Sequence, residues 1–332
     1  MNSSISIASC ARLCELNISV STGSKQDKDA TAKVNEDNNA ESNVARVTKN
    51  IFAGSEVLGE IVKFAARARQ EHAKLSLPWN DSGQRLVPNS FIQEHMETMG
   101  ELKEEFLSMV QVFKEELPEL REKAEENMGE LYNPMDYPSD EEIEYFIERK
   151  FQFNLEYPPV PEEGGFINGV LEDVKEELND LFQQGLDNKI RTATTDTWNR
   201  LSRIVARISE QLTDRTDEEV AAMQKEADAK ALDKFQRTGK GKDYGREVTK
   251  KKKISNDLLQ SGLDICSALK AFNITQDPEL EQRRKEFQAI LEDYDVDDLK
   301  DKYHGEYFRG LMVEEVNKVK ESVDQITSKF NF

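Results

Sequence analysis

Leu77-Pro-Trp-Asn-Asp-Ser-Gly-Gln-Arg-Leu-Val-Pro-Asn89 opens, and Pro158-Pro-Val-Pro-Glu-Glu-Gly-Gly-Phe166 closes, the segment whose reading decides the fold. Between these turn-rich marks apolar residues recur at Ile92, Met96, Met99, Phe106, Val110, Phe113, Leu117, Leu120 and Ala124. Apart from one missing position at Lys103, the steps of three and four average about 3.5 residues, those of a left-handed supercoiled helix pair. Ser90-Phe-Ile-Gln93 has the pattern of a capping box that would start this helix. Pro118 lies within the stripe, and a missing amide hydrogen there predicts a kink or break in the preceding turn.

Outward from this segment the punctuation repeats. Asn-Asp-Ser-Gly at 80–83 supplies turn residues, and Trp79 beside it needs a packing surface for its indole. After Asn133-Pro134, Ser139-Asp-Glu-Glu142 has the spacing of a second capping box. Two stretches alternate apolar with polar residues: Leu16-Asn-Ile18-Ser-Val20 and Phe151-Gln-Phe153-Asn-Leu155-Glu-Tyr157. Alternation is a strand signal, and an isolated strand leaves its backbone unsatisfied, so the two are expected to pair. Residues 22–43 carry almost no apolar side chains and read as a mobile loop or a marginal polar helix. From Val44 to Lys74 the positions Ile51, Val57, Leu58, Ile61, Phe64, Ala65 and Ala68 have helical spacing.

The second half keeps the same rhythm. Leu171, Val174, Leu178, Leu181, Leu186, Ile190, Ala193, Thr197, Leu201, Ile204, Ile208 and Leu212 predict one very long helix. Thr216-Asp-Glu-Glu219 and Asp277-Pro278 are starts of later helices. The expected architecture is therefore mainly α, an elongated helical bundle or antiparallel coiled coil with a minimal two-stranded β element in the first half. Three regions follow: 1–43, an N-terminal strand and mobile loop; 44–166, a helical domain with the β element; and 167–332, an elongated helical domain carrying a basic loop at 237–253.

A third of the 332 residues are charged and 37% are hydrophobic, the balance of narrow apolar stripes on solvated helices. The net charge is −20, and the segment from Glu94 to Glu148 holds 18 acidic residues against Lys103, Lys114, Arg121 and Lys123. Such a surface repels a duplex phosphate backbone and is either a solvated helix face or a docking face for a basic partner. The exception is Arg237, Lys240, Lys242, Arg246, Lys250, Lys251, Lys252 and Lys253, a +6 segment once Asp243 and Glu247 are subtracted. That loop has the charge to contact an acidic protein surface, a second copy of this chain, or single-stranded nucleic acid.

Chemistry is sparse in the pattern. Three cysteines, Cys10, Cys14 and Cys266, do not make a disulfide framework, and the Cys10-Ala-Arg-Leu-Cys14 spacing is wrong for a zinc knuckle. Ile7-Ala-Ser-Cys10 has the form of a lipoprotein cleavage box but lacks the basic and apolar run before it, and no window is apolar enough to span a membrane. His72, His95 and His304 lie far apart in sequence and outside any metal-ligand pattern, so each reads as a surface histidine. Asp293-Tyr-Asp295-Val-Asp297-Asp298 begins like a calcium loop, yet Asp298 stands where its glycine belongs and His304 where its glutamate belongs. Gly239-Lys-Gly241-Lys-Asp-Tyr-Gly245 has the composition but not the spacing of a phosphate-binding loop, and no Gly-x-Ser-x-Gly occurs. No catalytic residue, cofactor or metal ligand is predicted.

Four motifs carry a family resemblance: Leu16-Asn-Ile-Ser, Leu77-Pro-Trp79-Asn-Asp-Ser-Gly83-Gln-Arg85-Leu86, Tyr137-Pro138-Ser-Asp-Glu-Glu, and Pro159-Val-Pro161-Glu-Glu-Gly-Gly-Phe166. They resemble a family of uncharacterised tailed-phage proteins, mostly from marine phages, over the first half of the chain. Relatives tend to carry tryptophan where this sequence has Ser21. The resemblance implies a phage-encoded protein in the host cytoplasm, with a MoxR-type AAA ATPase as one partner, and no activity. The reading is a non-enzymatic accessory or adaptor protein that oligomerises through long helices and docks a protein partner. Trp79, Arg85, Tyr137 and Phe166 would then fix the turns of the first half. The competing readings are a single-stranded nucleic-acid-handling protein of phage replication or recombination, and an enzyme whose site the motifs do not reveal.

Overall fold

The computed structural model describes residues 7–42, 44–80, 82–161 and 172–329. The chain is mainly helical with a small antiparallel sheet, and it divides into two compact units, residues 1–183 and 184–332. Phe166 and the Gly164-Gly165 pair lie outside the described residues.

Unit 1 begins with α1 (Ile7–Cys10) and β1 (Ala11–Ser19). The expected two-stranded element is larger than its alternation suggested. The sheet has four strands in the order β4 (Leu77–Pro78), β5 (Arg85–Pro88), β1, β6 (Gln152–Glu156). β1 is central because its two ends serve different neighbours: Ala11 to Cys14 pair with Pro88 to Arg85, and Glu15 to Ser19 pair with Glu156 to Gln152, all antiparallel. The predicted pairing of the two alternating stretches is present. The Leu77–Asn89 turn adds the extra strands, because Trp79 N donates to Gln84 O at 3.2 Å and closes a hairpin.

Of the two readings of residues 22–43, the polar helix is present, with a strand before it in place of a mobile loop. β2 (Ser24–Asp27) pairs with β3 (Val47–Asn50), and α2 (Lys28–Asp37) lies between them. Polar side chains hold this helix where apolar ones are missing. Asp27 caps it through Ala30 N at 2.9 Å, and Asn35 exchanges two bonds with Ala45, at 3.0 and 3.2 Å. At Gly23, φ is +67° and a Cβ would meet Asn50 Oδ1 at 2.8 Å, so this turn requires glycine. β3 also shortens the helix expected from Val44, which becomes α3 (Glu56–Lys74) capped by Ser55.

α4 (Ile92–Met128) runs unbroken through Pro118, and the Ser90 capping box does not form. Its inward row is His95, Met99, Leu102, Phe106, Val110, Phe113, Leu117 and Ala124. The predicted stripe was therefore out of phase at its start: Met96 is 53% exposed, and His95 takes the inward position. The buried row averages about 3.6 residues per step. α5 (Ile143–Lys150) follows. Between α3, α4 and the sheet the core is aromatic: Phe113 meets Phe52 at 5.4 Å and Phe151 at 5.3 Å between centroids, and Phe106 meets Phe153 at 5.7 Å.

Unit 2 takes α6 (Glu172–Leu212) from Gln184 onward, then α7 (Asp217–Thr238), α8 (Leu258–Phe272), α9 (Pro278–Glu292), α10 (Val296–Lys300) and α11 (Gly305–Thr327). The Thr216 capping box and the Asp277-Pro278 start are both present. One core gathers Trp198, Leu201, Ile204 and Ile208 of α6 with Leu258, Cys266 and Leu269 of α8, Phe287 and Leu291 of α9, and Met312, Val316 and Val323 of α11. Gly262 of α8 permits a close approach, since a Cβ there would meet Leu291 Cδ1 at 2.7 Å and Ile208 Cδ1 at 2.9 Å. Asp295, the third residue of the calcium-like run, caps α10 by accepting from Asp297 N at 2.8 Å.

Candidate functional site

Four chemistry-bearing side chains of unit 1 come together. Cys14 is on β1, His72 near the end of α3, His95 in the first turn of α4, and Tyr157 directly after β6. Each arrives there by the periodicity of its element. His72 continues the Ile61, Ala65, Ala68 row by four residues, His95 precedes Met99 by four, and Cys14 extends the Leu16, Ile18 alternation back by two. Cys14 and His95 have no exposed surface and His72 has 4%. This corrects the reading of His72 and His95 as surface residues. His304 does lie at the surface, its Nδ1 3.3 Å from Asp301 Oδ1.

The cluster is a hydrogen-bonded chain. His72 Nδ1 lies 2.8 Å from His95 Nε2, and His95 Nδ1 lies 2.7 Å from the Tyr157 hydroxyl. Cys14 Sγ and one nitrogen of each imidazole all lie within 4.8 Å of one another. His72 Nε2 is buried and makes no hydrogen bond. Burial disfavours charge throughout. It pushes His72 down to about 3, helped by the neighbouring His95 and by the Arg85 guanidinium, and His95 down to about 4. Burial, with Glu15 adding, pushes the Cys14 thiol up to about 12, and burial raises the Tyr157 phenol. At neutral pH the site is therefore two uncharged imidazoles, a thiol and a phenol. Such a set offers lone pairs to a soft cation and has neither the charge nor the exposure of a hydrolytic nucleophile.

Of the residues expected to fix the turns, Arg85 lies beside His72. Arg85 donates to Ser76 Oγ at 2.7 Å and to the carbonyl of Ser76 at 2.9 Å, binding the hairpin to the end of α3, where a cation is favourable. Trp79 is buried. Tyr137 is buried at the far end of the core, donating to Met128 Sδ at 3.2 Å and stacking near Phe52 and Tyr132.

Unit 2 places the basic segment on its surface and pairs much of it internally. Arg237 meets Asp233 at 2.9 Å, Lys250 meets Asp217 at 2.6 Å, Lys251 meets Glu306 at 3.1 Å, and Lys252 donates to Glu210 O at 2.8 Å. Lys242 lies over the Tyr244 ring, 4.8 Å from its centroid. A groove of about 620 Å³ opens between α6, α7 and this segment, where Arg207, Arg215, Lys252 and Lys253 outnumber Glu210 and Glu219 and Met223 supplies an apolar wall. α7 has no buried residue, yet Val220, Met223, Ala227, Ala231 and Phe235 make an apolar row along it at helical spacing.

In comparisons with protein-family models, with curated proteins and with solved structures, nothing matches this chain.

Proposed function

We propose that the chain is a phage-encoded, non-enzymatic adaptor acting in the host cytoplasm, and that it self-associates by seating the acidic helix α4 of a second copy in the basic groove of unit 2. The observation that carries this reading is the groove itself, cationic and apolar together beside a helix with no buried residue. An acidic amphipathic helix is the complement of such a surface. α4 is one: 11 of its residues are acidic and four basic, and Leu107 and Val112 are exposed among them. The two surfaces of one copy differ, so the contact is head to tail and continues from copy to copy. The finer architecture, an elongated bundle with helices laid antiparallel, belongs to this proposal too.

Exposed ion pairs such as Lys250–Asp217 each contribute about 0–1 kcal/mol, so they yield readily to a better acidic partner. Size-exclusion chromatography with light scattering tests the reading. Oligomers at low salt that dissociate as salt rises, and that disappear in a Lys252→Glu, Lys253→Glu double variant, are expected. A monomer at every salt concentration and protein concentration, with steeply salt-dependent binding of single-stranded DNA instead, replaces this reading with the nucleic-acid one.

A further inference from the structure

We propose that Cys14, His72 and His95 form a buried site for a thiophilic metal ion, Zn²⁺ or Cu⁺, held by the Cys14 sulfur and one nitrogen of each imidazole. Thiolate and imidazole are the donors such ions select, and the three donor atoms already converge within 4.8 Å. They come from a strand and two helices locked by the aromatic core, so their positions do not depend on a loop.

The hydrogen bonding without a metal is incomplete, which is the second observation. If Tyr157 donates to His95 Nδ1, then His95 Nε2 donates to His72 Nδ1, and His72 Nε2 carries a proton with no acceptor. If His95 Nδ1 donates to Tyr157 instead, His72 Nδ1 donates to His95 Nε2, and His72 Nε2 is left as a bare lone pair. Either tautomer ends on an unsatisfied buried atom, which is destabilising. A bound cation uses the lone pairs that the chain leaves idle. The second tautomer also has the form of a metal-ligating histidine, with His95 Nδ1–H oriented by an outer oxygen and Nε2 directed inward.

Loading requires small adjustments. With donors about 2.0–2.3 Å from the ion, His95 Nε2 must turn its lone pair from His72 Nδ1, 2.8 Å away, toward the ion, exchanging that hydrogen bond for a metal bond beside the one made by the idle His72 Nε2. The thiol must lose its proton: the sulfur–hydrogen bond breaks, the sulfur–metal bond forms, and one proton leaves to solvent per ion bound. Among the described residues no fourth His, Cys, Asp or Glu joins the three. Cu⁺ is satisfied by three donors, whereas Zn²⁺ takes a solvent molecule as its fourth. Arg85 beside His72 favours the lower charge.

The test uses the full chain under a reductant and without oxygen, titrated in separate arms with Zn²⁺ and with Cu⁺ against a chromophoric competitor. One ion per chain in at least one arm, with one proton released, is expected. Cys14→Ser should weaken binding about 100-fold, Tyr157→Phe about 10-fold by loosening His95, and Cys10→Ser and His304→Gln should change nothing. Tyr157→Phe loses only a hydroxyl and keeps the test usable should Cys14→Ser unfold. The intense near-ultraviolet thiolate-to-cobalt absorption of the Co²⁺-loaded wild-type chain needs no variant at all. Failure of both ions to bind stoichiometrically, binding equal in wild type and in folded variants, or Co²⁺ bound without that absorption overturns the proposal. None of these results depends on self-association, so the adaptor reading stands or falls separately.

Discussion

His72 Nδ1 and His95 Nε2, 23 positions apart in sequence, lie 2.8 Å from each other, and both side chains are buried. Two uncharged imidazoles in such a position make folding sensitive to acid. Their folded values, about 3 and about 4, are below the ordinary 6.5, so below pH 6.5 the unfolded metal-free chain binds more protons than the folded one. Stability is then full above pH 6.5 and falls with pH through the window down to about 4 and 3, by roughly 1.4 kcal/mol per histidine per unit. Urea unfolding of the metal-free chain should lose about 3 kcal/mol from these two groups between pH 6.5 and 5. Equal midpoints at the two pH values would contradict the burial.

The thiols give a second check. Burial pushes Cys14 and Cys266 up to about 12, while Cys10 is only half-buried. A brief exposure of the native chain to iodoacetamide should modify Cys10 alone by peptide mass spectrometry, and all three after denaturation. Rapid native modification of Cys266 is the contrary outcome.

Phe113 has no exposed surface and touches Phe52 and Phe151 across the core of unit 1. Phe113→Ala should cost about 3–5 kcal/mol by denaturant unfolding, whereas Leu107→Ala on the outer face of α4 should stay within about 0.5 kcal/mol. Similar costs at the two positions would mean that the inward row of α4 is misplaced.

In unit 2 the Trp198 indole donates to Asp277 Oδ2 at 3.1 Å, and Asp277 Oδ1 caps α9 through Glu279 N at 2.9 Å. One carboxylate thus serves two elements. Asp277→Ala removes the cap and strands the indole hydrogen, at about 2–3 kcal/mol, and Trp198→Phe should cost about 1–2 kcal/mol. In a double-mutant cycle the two costs should fall short of adding by about 1 kcal/mol; strict additivity would deny the link.

The sequence carried the helices well where apolar rows were long, as in α6 from Ala193 to Leu212, and where capping was local, as at Thr216 and Asp277. It also carried the pairing of β1 with β6, because both stretches alternate. It misled where local signals competed. Met96 and His95 are adjacent on α4, and hydropathy prefers the methionine, although the row that fits Met99 and Leu102 turns the histidine inward. α2 was legible only as one of two readings, a polar helix or a loop, because Asp27, Thr31 and Asn35 hold it in place of an apolar face. The Cys14, His72, His95 cluster has a readable part, since each residue sits in phase with a buried row. Its convergence has none: three elements meet there only through the tertiary fold.

The most direct test of that convergence is a titration of the ¹⁵N-labelled imidazoles of the metal-free chain by NMR. His72 and His95 should remain uncharged from pH 7.5 to 5, with a coupling or exchange signature of one shared hydrogen bond between them. Protonation of either ring between pH 6 and 7 would contradict the buried pair, and with it the site built on Cys14.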